Sequence, residues 1–433
     1  MQLSGFRALD LRLLRAARRA RKGVHGLGPG LITGAADDDP SGISTYTMAG
    51  ASFSYSLLWT SWATLPMNIA VQSICARIGI VTGRGLASGI GRYYGRHWLY
   101  PIVLLLFVAN MVNIGANLSA IAAAVELLTG VPAVAMVAPI GIGIALTEII
   151  VPYHDFARYL KLMTLVIFAY VLGAFPAHPN WGAALAATFI PRLSWDSDMI
   201  QMVVAILGTT ISPYLFFWQT SEEVEENESR SIVLGRVPGD QMRGLLHAAH
   251  IDVLAGMTLA HVGFYFVVLT SAATLYAAGQ HHIKTAAEAA QALRPLAGDG
   301  AFLLFSLGII GTGLLAIPVL AGSVAYAAAE LFGWREGLSN TFRRAPQFYG
   351  VLGLATVLGI AFNFSGLSAL RALFFAAILN GVIAPVLLVF VMLIARDRRV
   401  LGEFTAGRVM TLLGWATTLV MAAAAIIMFS TLG

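Results

Sequence analysis

The chain has 433 residues, of which 58% are hydrophobic and only 11% charged, with a mean hydropathy of +0.77. A soluble domain carries about 25% charged residues, so this composition excludes an ordinary globular enzyme or a disordered chain. The net charge of +5 and pI near 9.4 do not mark a nucleic-acid binder, because the basic residues are spread over many loops with no binding module around them.

Charge-poor runs long enough to cross about 30 Å of hydrocarbon recur along the whole length. They predict eleven transmembrane helices near 24–52, 55–78, 98–128, 131–151, 157–176, 198–221, 248–276, 300–331, 347–364, 369–395 and 405–431. Residues 1–22 form a basic arm, and 23–431 read as one membrane domain without a soluble insert. The segment Gly23 to Ala36 has the look of a signal-peptide core, but it runs straight into acidic residues and a further apolar half, so it is read as a helix. With the N-terminus in the cytoplasm, 23 of the 27 Lys and Arg fall inside, and only Arg192, Lys284, Arg294 and Arg371 fall outside. That split supports the helix count and places the C-terminus outside, in a multi-pass protein of a bacterial-type inner membrane. The single Cys75 lies in the second helix and forms no intramolecular disulfide.

The first helix carries the sharpest signal, Asp37-Asp38-Asp39-Pro40-Ser41-Gly42 in mid-span. Each acid there costs roughly 2.5–3.5 kcal/mol to insert. Proline and glycine follow at once, so the helix is expected to break. The sixth helix repeats the device with Gly208-Thr209-Thr210-Ile211-Ser212-Pro213-Tyr214. A proline kink with ordinary hydroxyl back-bonding explains the second break taken alone. Two breaks opening two blocks of five helices point instead to an inverted-repeat transporter with its cation site at the breaks.

These residues resemble the Nramp family of divalent-metal transporters. Gly28-Pro29-Gly30, Ala36 to Gly42, Ser56-Leu57-Leu58-Trp59 and Ala76-Arg77-Ile78-Gly79-Ile80-Val81-Thr82-Gly83-Arg84 stand where that family reads GP, A-x-x-D-P-G-N, SLLW and AKLGIATGR. The likeness continues through Phe189 to Leu193, Leu207 to Pro213 and Ile251-Asp252, and covers most of the chain. It implies an all-α polytopic protein of the leucine-transporter fold, with helices 1–5 and 6–10 as inverted repeats and an eleventh appended. It also implies that Asp39 is the metal-binding aspartate, that Ala36 and Thr209 offer backbone carbonyls, and that the metal is cargo rather than a cofactor. The departures matter as much. The family asparagine is Gly42 here, its sixth-helix methionine is Ser212, and its histidines are Tyr214 and Gln219. Its proton-accepting third-helix glutamate is Asn117.

With no thioether, the remaining candidate ligands are oxygens, which suit Mg²⁺, Mn²⁺ and Ca²⁺. Asp37 or Asp38 can supplement Asp39, and helical rotation turns at least one of them away. Asn110, Asn113 and Asn117 share one face of the third helix. Such a stripe serves either helix–helix hydrogen bonding or a hydrophilic wall beside a hydrated ion. The run Glu222 to Glu228 reads as a solvated helix end or a cation-attracting vestibule, and His247, His250 and Asp252 as an incidental cluster at a helix start. None of Asn117, Tyr214 or Gln219 titrates near neutral pH, so transport is expected to be weakly proton-coupled or uncoupled. The alternatives are a sodium-coupled symporter of a small organic solute on the same fold, which three clustered acids disfavour, and a membrane sensor or scaffold. An intramembrane enzyme lacks HExxH and G-x-S-x-G support. No nucleic acid and no obligate protein partner are expected. The partners are the lipid bilayer and a divalent ion, with Mg²⁺ or Mn²⁺ favoured and Fe²⁺ open.

Overall fold

The computed structural model describes residues 28–431 apart from 193, 195, 235, 236, 284, 367 and 368. The basic arm 1–22 and Lys284 of the charge count lie outside the described residues. Among these residues the chain is helical almost throughout, with nine helices long and apolar enough to cross a membrane, to which the broken first helix and the shorter Pro346–Phe362 add two. The first is two pieces, Pro29–Asp37 and Pro40–Phe53, and the sixth is also two, Ser197–Thr210 and Pro213–Ser229. The second to fifth are Trp59–Thr82, Leu99–Thr129, Ala133–Ile150 and Tyr153–Ala174. The seventh runs Gly239–Ser271 and ends in a π turn, Ala272–Tyr276. Ala286–Phe332, Pro346–Phe362, Ala369–Arg396 and Arg408–Thr431 complete the set.

Several boundaries differ from the sequence reading: the second helix is Trp59–Thr82 where 55–78 was expected, and the sixth runs to Ser229 where 221 was expected. The fifth helix starts at Tyr153, and the seventh at Gly239, nine residues before the expected 248. Its extra turns, around Met242 and Leu246, are amphipathic and lie beyond the apolar run, where hydropathy gives no mark. The expected 300–331 helix is the second part of Ala286–Phe332. A preceding helical piece bends into it at Gly298, whose φ of 85° lies in the left-handed region that glycine adopts without a Cβ clash. Two short helices outside the spans, Leu86–Tyr93 and Trp181–Phe189, were not expected.

Both breaks are written by an X-Pro step. Pro40 and Pro213 each take the first position of the second half, where a missing N–H costs nothing. Each proline pushes the residue before it out of the helical region, so Asp39 (ψ 165°) and Ser212 (ψ 128°) are extended. The first half of helix 1 lies against helix 7 with backbone touching backbone. A Cβ on Gly34 would strike Gly256, and one on Gly256 would strike Gly30. Only small residues permit that approach between membrane helices.

Candidate functional site

The two breaks meet in the interior of the bundle. Asp37, Asp38 and Asp39 are 2%, 1% and 4% exposed, and the three carboxylates fan out toward different helices. Asp37 Oδ2 accepts from Asn68 Nδ2 of helix 2 at 3.0 Å, while its Oδ1 has no partner. Asp38 lies over Gly263 of helix 7, and its Oδ2 is buried without a donor. Asp39 faces helix 3, where Asn117 Nδ2 donates to its Oδ2 at 3.0 Å. Its Oδ1 accepts from Ser41 Oγ at 2.5 Å and from the Gly42 amide at 2.8 Å, so Asp39 caps the half-helix that follows it. Gly42 leaves its side-chain direction open toward this carboxylate: a Cβ there would lie 3.6 Å from Asp39 Oδ1.

The sixth-helix break is tied to the first by two bonds. The Tyr214 hydroxyl donates to the Ala36 carbonyl at 3.0 Å. Asn68 Nδ2 also donates to the Thr210 carbonyl at 3.0 Å, so one amide joins Asp37 to the sixth-helix break. The Ser212 hydroxyl turns back to the Thr209 carbonyl at 2.9 Å. Thus each carbonyl that the family resemblance points to already holds one side-chain hydroxyl, and keeps a second lone pair. Tyr46 Oη lies 3.4 Å from Thr210 Oγ1, and its ring stacks on Phe264 at 3.9 Å between centroids.

Other candidates fall elsewhere. Gln219 does not join the aspartates: its Nε2 donates to Glu223 at 3.0 Å, one turn further along the helix. Of the asparagine stripe, Asn110 bonds the Leu320 carbonyl and Ser323 of helix 8, Asn117 bonds Asp39, and Asn113 is buried between them. His261 is buried against Thr64 and the Met257 carbonyl. The His247, His250, Asp252 trio comes apart. His250 pairs with Ser73, His247 is exposed, and Asp252 accepts from the Gly30 and Leu31 amides at the start of helix 1. Among the described residues no group of three or more His, Cys, Asp or Glu side chains converges to hold a metal.

Asn68 escaped the sequence reading, although a buried amide two residues after Pro66 in an apolar helix is the kind of intramembrane polar residue that signals function or packing. Tyr153 and Tyr326 escaped too. They sit at the far end of the bundle, where Tyr153 donates to Glu222 and Glu226 at 3.0 and 3.2 Å, and Tyr326 bonds Glu222 and Glu225. Glu225 also takes the Leu338 and Ser339 amides, and Glu330 takes Ser221 and the Ser88 amide. The acidic run is therefore buried and bonded for most of its length, where a solvated helix end was one expectation. On the other side of the break, a cavity of ≈ 70 Å³ runs past Pro40, Ser41, Ser44 and Asn117 to Thr285. At about 30 Å³ per water, it holds roughly two.

Comparison with known proteins bears on the family and the fold. The family model described as Natural resistance-associated macrophage protein-like (Nramp) matches residues 30–431. The chain is 27% identical over 418 residues to the divalent metal cation transporter MntH of Deinococcus radiodurans, covering 94% of this chain and 89% of that one. Among solved structures, the Eremococcus coleocola manganese transporter in complex with an aromatic bis-isothiourea substituted compound superposes with a TM-score of 0.77 at 18% identity, over 95% of this chain and 87% of that one. A Na⁺-coupled sialic acid symporter superposes with a TM-score of 0.58 at 12% identity, over 92% and 89%. At these identities the structures speak for the fold alone, which is the expected leucine-transporter fold.

Proposed function

The chain belongs to the Nramp family of multi-pass divalent-metal transporters, which carry metal as cargo and are not enzymes, and from that premise we propose that it carries Mg²⁺ or Mn²⁺ by alternating access around Asp39 without obligatory proton coupling. One observation carries the reading. Two X-Pro breaks are tied to each other through Asn68 and Tyr214 with three buried aspartates at the first, and every hydrogen bond named to those aspartates comes from an N–H or O–H group. None of the hydrogen bonds to this triad comes from a sulfur or an imidazole, the soft ligands that favour Cd²⁺ and late transition metals. Asp39 can offer its free lone pairs to an ion, with the Ala36 and Thr209 carbonyls and the Ser212 hydroxyl on the facing break. A site with so few converging side chains suits an ion that keeps part of its hydration shell, as Mg²⁺ does. Gly42 offers no side-chain ligand where an asparagine would, which leaves that coordination position to water. Fe²⁺ remains a secondary substrate in this reading.

Asn117 beside Asp39 supports the uncoupled mode, since an amide hydrogen-bonds but does not take up a proton. Flux then follows the ion gradient and the membrane potential, about 2.3 kcal/mol per charge per 100 mV. The bias of basic residues supports a cytoplasmic N-terminus, an external C-terminus and an inner-membrane setting. In that orientation the slot beside Asn117 opens outward, and the tyrosine–glutamate network closes the inner end.

Uptake into proteoliposomes tests the proposal, with Mg²⁺, Mn²⁺, Fe²⁺, Ca²⁺ and Cd²⁺ side by side and a trapped pH dye. Mg²⁺ or Mn²⁺ should enter with no matching luminal acidification. Preference for Cd²⁺, or acidification that scales with metal uptake, would overturn the oxygen-only, uncoupled reading.

A further inference from the structure

Helix 10 ends in Arg396, and helix 11 begins with Arg408. Between them the chain turns through a short helix, Arg398–Leu401, and comes back to the bilayer. This turn borders a groove of ≈ 840 Å³. Arg396, Arg398 and Arg408 stand at its mouth. No carboxylate among the described residues pairs with any of the three. Asp397 is taken by Arg399 at 2.6 Å, and Glu403 faces Arg243 at 3.5 Å.

The rest of the groove is of different character. Leu412, Trp415 and Leu419 line it, with Thr411 among them. Residues 408, 411, 412, 415 and 419 follow the helical repeat, so they form one stripe down helix 11. From Arg408 to Leu419 that stripe is about 16 Å long at 1.5 Å per residue. Leu412 and Leu419 are 71% and 68% exposed, and Trp415 between them is half-buried against the core, so the stripe is open at both leucines. The groove is thus a cationic head joined to an apolar track that runs into the membrane. A free phosphate would use only the head, and a neutral lipid only the track.

We propose that this groove binds an anionic phospholipid, with the arginines on the phosphate and an acyl chain along Leu412, Trp415 and Leu419. Arginine's planar fork suits the phosphate oxygens, and a basic pocket between transmembrane helices at the bilayer surface is where such headgroups are held. The site stands apart from the ion pathway and does not depend on which ion is carried. A second basic pocket at the same end, with Arg84, Arg92 and Arg96, contains Glu330 and lacks an exposed apolar stripe, so it serves as an internal control.

The test is thermal unfolding of the purified full chain in detergent, with added phosphatidylglycerol, phosphatidylcholine of the same acyl chains, or glycerol 3-phosphate. Phosphatidylglycerol at about 100 times its Kd should raise the midpoint by about 3 °C. The other two should leave it unchanged. Arg396→Gln/Arg398→Gln/Arg408→Gln should lose the shift, and Arg84→Gln/Arg92→Gln/Arg96→Gln should keep it. Should the first triple variant fail to fold, Leu419→Glu, which leaves all three arginines in place, should lose the shift as well. Equal response to both lipids, reproduction of the shift by glycerol 3-phosphate, or equal loss in the two triple variants would each overturn the proposal.

Discussion

Two acidic regions lie on the path through this molecule, and they are built on opposite rules. At the inner end, Glu222, Glu225, Glu226 and Glu330 have no orphaned oxygen among the described residues, because tyrosine hydroxyls, backbone amides, Ser221, Lys161 and Arg230 reach them, and the exceptions on that side are Glu336 Oε2 and the Glu148 carboxylate. At the break, Asp37 Oδ1 and Asp38 Oδ2 are buried with nothing donating to them. Charge density alone therefore does not separate a binding site from a structural one. What separates them is that Asp37 and Asp38 each keep an unanswered oxygen beside Asp39, which is itself bonded at both oxygens. A satisfied network holds helices together, while an unanswered carboxylate is costly until a proton or cation arrives.

That contrast can be broken most decisively at Asp39. Asp39→Ala should reduce metal uptake to background while the protein still purifies as a folded species, since a buried charge has been removed along with the cap. Uptake at wild-type rates would remove the break from the mechanism. The inner end should answer in the opposite way. Glu225→Ala leaves the Leu338 and Ser339 amides without their acceptor and Tyr326 with Glu222 alone, at about 1–3 kcal/mol for each amide left buried and unpaired. Its unfolding midpoint in detergent should fall, and the order of preference among ions should stay as it was. A changed ion preference would make this region part of the selectivity machinery.

Two smaller changes sharpen the comparison. Ser212→Met restores a soft ligand and should move the Cd²⁺ to Mg²⁺ affinity ratio toward Cd²⁺ by on the order of tenfold. An unchanged ratio, read by calorimetric titration, would mean that Ser212 does not face the ion. Asn68→Ala cuts the amide shared by Asp37 and the Thr210 carbonyl, for a loss of about 1 kcal/mol in stability. Uptake should slow severalfold with the ion preference intact. Wild-type uptake would reduce Asn68 to packing.

How much of this was legible in the sequence follows from what each signal depends on. The spans and both breaks were readable because hydropathy, buried acids and X-Pro steps are local properties. Pro40 and Pro213 act on the residue just before them, whatever surrounds them. The directions of Asp37, Asp38 and Asp39 were not readable beyond the argument from rotation, because they depend on Asn68, Gly263 and Asn117 on three other helices. The same limit hid the role of Asp252. In sequence it stood beside two histidines, but its partners are the Gly30 and Leu31 amides, more than 200 residues away. The amphipathic starts of helices 7 and 8 were lost for another reason. They leave the hydrocarbon layer, where a window of apolar residues stops being a guide.

The carboxylate of Asp252 has a consequence for the tempo of the cycle. It grips the first two amides of a half-helix that already rests backbone against backbone on helix 7 through Gly30, Gly34 and Gly256. Any movement of this half-helix away from helix 7 gives up both amide bonds and the glycine contact. Under the proposed alternating access, that loss sets a barrier to which the turnover rate should respond. Asp252→Asn keeps the shape and weakens the grip, so it should change how often the inner end opens while leaving untouched which ion waits behind it.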